Sequence, residues 1–272
     1  MVVTRITARI CMMALFVTAF ASGRPTLAQA DDANKILKAM SDYLGSQKNL
    51  SASFDSDLEV ITPQIEKIQF ASSGQLEISR PDKFHGSRTG GYADVEITFD
   101  GKTATIYGKH ANGYVQVSLP GSVDQFLDAL REKFGVVLPG ADLLSTNAYD
   151  VLTSDVISGA HIGRGVIGGI ECEHLAFRGK DTDWQIWIQT GDQPLPRKYV
   201  ITSKTTAAAP QYAVVIRDWK IGVEPDAKVF VFTPPQDAKQ FDVGALASFD
   251  ELPLLKVPLR RRPPFACRPD LA

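Results

Sequence analysis

The sequence predicts an α+β fold in which a long antiparallel meander carries one helix before it and one helical insertion within it. Three observations lead there. Residues 168–220 hold four strand-like segments joined by short turns, and residues 50–119 hold six or seven more. Only 31–47 and 121–147 trade alternation for apolar spacings of three and four. Strands linked this locally must pair antiparallel, because parallel pairing needs a crossover of about a dozen residues or more.

The segment 170–178 ends in Gly179-Lys180-Asp181, and 183–190 alternates strictly. Trp184, Ile186 and Ile188 share one of its faces; Gln185, Trp187 and Gln189 share the other. After the turn Gly191-Asp192-Gln193-Pro194, residues 197–206 set Tyr199 and Ile201 opposite Lys198 and Val200. In 211–220, strict alternation groups Val214, Ile216 and Asp218 against Val215, Arg217 and Trp219. Large apolar side chains thus stand on both faces. Either the chain covers the second face with something apolar, or that face lines a cavity.

In chain order, 31–47 predicts a packing helix with Ile36, Leu37, Met40, Tyr43 and Leu44 as its stripe. Strands are expected at 50–61, at 65–79 with Gly74 as a bulge or kink, and at 83–88. A hairpin joins 92–99 to 102–107 through Asp100-Gly101, a strong two-residue turn signal, and 114–119 returns. Ser122 then caps a helix whose face is Val123, Phe126, Leu127, Leu130 and Phe134; Pro139-Gly140 interrupts, and 141–145 gives one more helical turn. Inserted between two meanders, this helix should lie over one face or the mouth of the sheet. Strand is expected again over 151–166, and a last one at 227–232.

At 272 residues, 44% hydrophobic and 22% charged, the chain can bury a sizeable core. One domain is expected over 31–245, flanked by a signal peptide at 1–30 and a Pro/Arg-rich tail at 246–272. Arg5 and Arg9 precede the apolar run 10–21, and Ala28-Gln29-Ala30 supplies an A-x-A site, so export to the periplasm with cleavage after Ala30 follows. Cys11 opens the apolar run rather than following it, which excludes it as a lipid attachment site. No other stretch reaches membrane-spanning length, so the mature chain should carry no transmembrane segment. Cleavage removes three arginines and no acid, taking the formal charge from −2 to −5, which disfavours nucleic acid as a partner. The tail reads as an extended solvated segment, or as one that touches anionic lipid. Of the cysteines left after cleavage, Cys172 is expected as a packed strand residue; a bridge to Cys267 stays open.

Chemical motifs are sparse. Gly163 to Gly168 spell G-x-G-x-x-G, but a strand follows where dinucleotide binding needs a helix start. The histidines at 85, 110, 161 and 174 are scattered without metal-ligand spacing, and there is no G-x-S-x-G, C-x-x-C or phosphate loop. No catalytic residue, metal or cofactor is therefore predicted, and the chain is not expected to be an enzyme.

Ser73-Gly74-Gln75-Leu76, Arg80-Pro81-Asp82-Lys83-Phe84, Phe99-Asp100-Gly101-Lys102, Trp184-Gln185-Ile186-Trp187-Ile188, Pro194-Leu195-Pro196-Arg197-Lys198 and Phe230-Val231-Phe232-Thr233-Pro234-Pro235 occur in this order. Across about residues 33–243 the pattern resembles a bacterial family of predicted periplasmic proteins, domain of unknown function 2092. That family is similar to the lipoprotein-carrier superfamily of LolA and LolB. The resemblance implies an incomplete antiparallel β-barrel whose helical insertion acts as a lid over an apolar cavity. It implies a binding or carrier role for lipid or lipoprotein acyl chains; the other reading is a structural or regulatory envelope protein with a filled core and a protein partner. The resemblance assigns no individual ligand residue. The face patterns nominate Phe126, Leu130, Phe134, Trp184, Ile186, Trp187 and Trp219 as cavity lining.

Overall fold

The computed structural model describes residues 27–248 except Tyr92, Ala93 and Val137. The basic start and apolar run of the expected leader, the tail from Pro253 and Cys267 lie outside the described residues.

One sheet organises the molecule. Its strands are β1 (Asn49–Ile61), β2 (Lys67–Ser79), β3 (Lys83–Gly90), β4 (Asp94–Phe99), β5 (Thr103–Gly108), β6 (Gly113–Ser118), β7 (Val156–Ile167), β8 (Ile170–Gly179), β9 (Thr182–Gln189), β10 (Pro196–Ser203), β11 (Gln211–Ile221) and the two-residue β12 (Lys239–Gln240). Their spatial order is β12-β6-β5-β4-β3-β2-β1-β11-β10-β9-β8-β7. Every pairing is antiparallel except β12 beside β6. The two meanders are thus each in sequence order, and the pairing of β1 with β11 joins them. The edges β7 and β12 do not meet, so the sheet is an unclosed, incomplete barrel.

The inner face holds the core. Leu50, Ile78, Phe84 and Phe99 come from the first meander; Leu175, Phe177, Trp184 and Ile186 come from the second. The helix α1 (Leu27–Ser46) begins four residues before the expected start and lays Ala33, Leu37, Met40 and Leu44 against β7 to β9. These four recur at spacings of four, three and four, which keeps them on one stripe.

Several expectations need correction. The stretch expected to open a strand at Val151 begins as a helix, α3 (Ala148–Thr153), and β7 starts only at Val156. α3 is short but tied down, since the Tyr149 N–H donates to Ser41 Oγ of α1 at 2.8 Å. The strand expected at 227–232 is instead a single 3₁₀ turn, Ala227–Phe230, capped by the Asp226 carboxylate. This segment crosses the outer face of the first meander, with Phe230 buried and Phe232 against Tyr107 and Tyr114. Gly74 is neither bulge nor kink. The β1–β2 register runs unbroken past it, and the Phe54 ring occupies the place of the missing Cβ.

The largest correction concerns Trp219. Asp218 adopts φ 49°, and the β1–β11 register shifts between Ser51 and Ser53, so two residues of β11 oppose Ala52. The bulge turns Asp218 outward to the Ser53 hydroxyl and brings Trp219 to the inner face beside Ile216. Of the glycines in the G-x-G-x-x-G run, Gly163 stands at a bulge of β7 and Gly168 in the β7–β8 hairpin turn.

Candidate ligand cavity

The helix α2 (Val123–Glu132) starts in a reciprocal capping box between Ser122 and Gln125. Its central aromatic, Phe126, is fully buried, stacked on Phe99 with centroids 4.6 Å apart and tilted against Phe84 at 5.4 Å. The helix itself is therefore core rather than a cover over empty space.

Beyond α2 the packing changes. Gly135 (φ 66°) and Gly140 (φ 85°) bracket a strap containing Val136, Leu138 and Pro139, and a 3₁₀ turn, Ala141–Leu144, follows. Both glycines hold a left-handed conformation that a side chain would disfavour. Proline and left-handed glycines keep this segment from continuing the helix, so it cannot present a regular apolar stripe to the sheet.

A cavity of about 400 Å³ lies between strap and sheet. Leu76, Gly86, Ile97 and Ile106 form its floor, Phe54, Ile216 and Trp219 one wall, and Phe134, Val136 and Leu138 its roof; Leu246 closes an end. Trp219 is fixed there by its indole N–H, which donates to the Pro196 carbonyl at 3.0 Å. The polar residues at this cavity are Gln75, Ser87 and Arg88, and among the described residues lining it none is acidic. A second cavity of about 330 Å³ lies along the other flank of the strap, over Leu58, Ile201 and Tyr212. Its rim is charged, with Glu59, Asp128, Arg131 and Asp142. Val136, Leu138, Pro139, Gly140 and Ala141 border both cavities, so the strap is the partition between them.

Polar contacts pin the ends of the strap. Arg131 donates to Asp142 and to Asp128, each at 2.8 Å. Burial holds the Asp142 carboxyl above the usual carboxylate range, and the Arg131 cation opposes that shift. Arg80 donates to the Leu144 carbonyl at 2.8 Å and to the Gln47 carbonyl at 3.1 Å, joining the 3₁₀ turn to the end of α1. The Thr146 N–H donates to Asp124 of α2 at 3.0 Å.

The sequence-nominated residues separate into three groups. Phe134 and Trp219 line the larger cavity, and Leu130 lines the smaller one. Phe126, Trp184 and Ile186 are buried in packed core; Trp184 stacks on Phe177 at 4.1 Å. Trp187 lies on the outer face, stacked on His174 at 4.0 Å, with Lys198 Nζ 5.2 Å from its ring. Nothing apolar needs to cover it there, because histidine and the lysine stem shield the indole. Sequence reasoning missed the floor. Its signal was the alternation of Val95, Ile97 and Phe99 in β4 with Ala104 and Ile106 in β5, which puts five apolar side chains on one face.

On the outer face the titratable groups form cross-strand pairs. His161 Nε2 lies 2.7 Å from Glu173, and His85 bridges Glu77 and Glu96 at 3.4 and 3.3 Å. The hydrogen bond from His85 holds Glu96 below the usual carboxylate range. Cys172 is buried with a free thiol, and burial pushes its pKa up. Among the described residues, no group of three or more His, Cys, Asp or Glu side chains is placed to hold a metal. None of the described helices is long and apolar enough to cross a membrane.

Known proteins offer distant structural likenesses and one match in sequence. No curated protein matches the chain. An uncharacterized conserved protein from Thermus thermophilus is similar in structure, with TM-score 0.46 and 10% identity, over 78% of this chain and 99% of that one. LprF from Mycobacterium bovis gives TM-score 0.44 and 15% identity, over 79% of this chain and all of that one. The Pseudomonas aeruginosa MucA/MucB complex gives 0.39 and 11%, over 74% of this chain and 61% of that one. A sequence model matches residues 33–244, and by it the chain belongs to the family described as predicted periplasmic protein (DUF2092).

Proposed function

We propose that this is a non-catalytic periplasmic protein that binds or carries a lipidic or amphipathic ligand in the larger cavity. The cavity's form carries the reading. Its volume falls within the roughly 300–1,000 Å³ of small-molecule sites, and its surface is apolar apart from a few polar groups. Apolar surface of this kind is stabilised when an apolar ligand takes it out of water, at roughly 25 cal/mol per Å² covered. The strap, made of irregular backbone held by side-chain contacts at its ends, is the part of the roof that can yield to a ligand without unfolding the sheet. Protein purified from the periplasm and extracted with organic solvent should release a lipid at close to one per chain by mass spectrometry. No extracted lipid, together with no saturable binding of a fluorescent fatty acid, overturns the reading.

The seat of α2 favours a second reading. Phe126 is fully buried and packs on Phe99 and Phe84, as a structural or regulatory envelope protein with its own helices for a core would require. The same extraction separates the two readings. Export with cleavage after Ala30 belongs to both. Cleavage would trim α1 to begin at Asp31-Asp32, whose carboxylates suit the positive end of a helix. N-terminal sequencing of the periplasmic protein should read Asp31 first.

A further inference from the structure

We propose that the end of the sheet formed by the β1–β2 turn and the β10–β11 loop is a docking surface for a lipid bilayer. This rests on the reading of the larger cavity as a lipid site, since such a ligand is drawn from a membrane. The register gives the shape. β11 pairs with β1 as far as Leu58, and β3 pairs with β2 from Ser72. The pairs of Glu59 with Gln69, Val60 with Ile68 and Ile61 with Lys67 therefore have no strand beside them among the described residues. The hairpin projects past its neighbours by these pairs, roughly 10 Å. At its tip Ile65 is 65% exposed and holds φ 63°. Hydrogen bonds fix that turn: the Ile65 N–H donates to the Thr62 carbonyl at 2.8 Å, the Thr62 N–H to the Glu66 carbonyl at 2.9 Å, and the Glu66 N–H to Thr62 Oγ1 at 3.1 Å. Glycine or asparagine would hold the turn with less strain, so isoleucine here presents an apolar side chain to solvent at a cost to the fold.

Charge and continuity decide the partner. Residues 60–65 and 205–210 carry no ionisable side chain. Residues 205–209 are all exposed, and Ala208 and Ala209 repeat the positive φ of Ile65, at 61° and 45°. Of the flanking charges, Glu59 meets Lys67 at 2.9 Å and accepts the Gln211 N–H at 2.8 Å, which ties the two loops together. Lys204 donates to the Gly179 carbonyl at 2.7 Å, and Glu66 stands exposed at the margin. Such a surface enters the boundary of a bilayer with little charge to desolvate, and it offers a charged partner no complement. Val60 follows Leu58 on the same face of β1, with Ile68 opposite. Leu58, Ser203, Pro210 and Gln211, at the roots of the two loops, line the smaller cavity, which the strap divides from the larger one. Apolar surface thus runs from the tip toward the ligand cavity, as a lipid leaving a bilayer requires.

The test is cosedimentation of protein purified from the periplasm with two kinds of vesicle, one of phosphatidylcholine and one of phosphatidylethanolamine with phosphatidylglycerol. Wild type should bind the two within about threefold of each other and keep its binding in about 0.5 M salt, because no charge pair carries it. Ile65→Asn suits the turn better, so it should keep or raise the unfolding midpoint. It should nevertheless weaken vesicle binding about tenfold, the effect of one large apolar side chain no longer leaving water. Its affinity for a fluorescent fatty acid should stay within about twofold of wild type, the two sites being independent. No vesicle binding, binding abolished by salt or by omitting the anionic lipid, or binding undiminished in Ile65→Asn overturns this inference and leaves the lipid site standing. Self-association without lipid, lost in Ile65→Asn, gives the surface to a second copy and overturns it too. A wild type that binds neither vesicles nor the fatty acid overturns the lipid site as well. Should Ile65→Asn fail to fold, Ile65→Gly takes its place.

Discussion

Two regions of one inner face meet different covers. Beneath α1 and the Phe126 side of α2, side chains on regular helical stripes meet regular rows of strand residues, and the space is filled: Leu37, Met40, Phe126, Phe177 and Ile186 are all fully buried. Beneath the strap the strand rows are just as apolar, with Ile97, Ile106 and Ile216, yet a cavity remains. The difference lies in the cover and not in the sheet. A helix offers side chains at a period that can interdigitate with a pleated surface, whereas a segment broken by Gly135, Pro139 and Gly140 offers only scattered ones.

Truncating one aromatic on each side of this divide tests the contrast most strongly. Phe126→Ala should cost about 3–5 kcal/mol by urea unfolding, because its packed neighbours cannot close the void. Phe134→Ala, which removes part of a roof that already borders empty space, should cost only about 1 kcal/mol. It should weaken binding of a fluorescent fatty acid, which Phe126→Ala protein should bind as well as wild type wherever it remains folded. Equal stability losses would mean that the strap is core like α2.

A middle-sized effect is expected where the wall of the cavity meets the sheet. A Cβ at Gly74 would overlap the Phe54 ring and the Ser87 carbonyl. Gly74→Ala should therefore cost about 1–3 kcal/mol and displace Phe54, changing ligand affinity with it. An unchanged unfolding midpoint would show that Phe54 moves aside freely.

Much of this contrast is legible in the sequence, and its limits are instructive. The alternation of 183–190 separates Trp184 and Ile186 from Trp187 but leaves open which face is inward, because both carry large apolar groups; β9 runs against β8 without a bulge, and the structure turns Trp184 and Ile186 to the core and Trp187 outward. The face of Trp219 cannot be read by alternation, since the positive φ that re-aims it sits on Asp218, whose residue type tolerates that conformation without requiring it. The apolar face of α2 was legible too, but amphipathicity alone does not tell a helix seated on core from one roofing a cavity. That depends on partners such as Phe99 and Phe84 from strands much earlier in the chain. The helix α3 was missed because six residues carry too little periodicity, and contacts to α1 hold it.

The smallest effect belongs to the outer face. Burial holds the His174 pKa below its ordinary 6.5, Gln185 opposes that shift through its hydrogen bond, and His161 and Lys198 add to it. A histidine whose folded-state pKa is depressed stabilises the fold above its unfolded pKa and loses that contribution as pH falls toward the folded value. Wild-type protein should therefore lose a little stability between about pH 7.5 and 5.5, a slope that His174→Gln reduces, with ligand affinity unchanged because Trp187 faces away from the cavity.

The central claim, that an apolar chain lies in the larger cavity, is tested most directly by quenching of tryptophan with a brominated fatty acid. Trp219 is in the cavity wall, Trp184 in packed core and Trp187 on the outer face. Titration should quench wild-type fluorescence saturably at one equivalent, Trp187→Phe should leave the quenched component intact, and Trp219→Phe should remove it. Quenching that survives Trp219→Phe and vanishes in Trp187→Phe, or no saturable quenching at all, would contradict a chain bound beneath the strap.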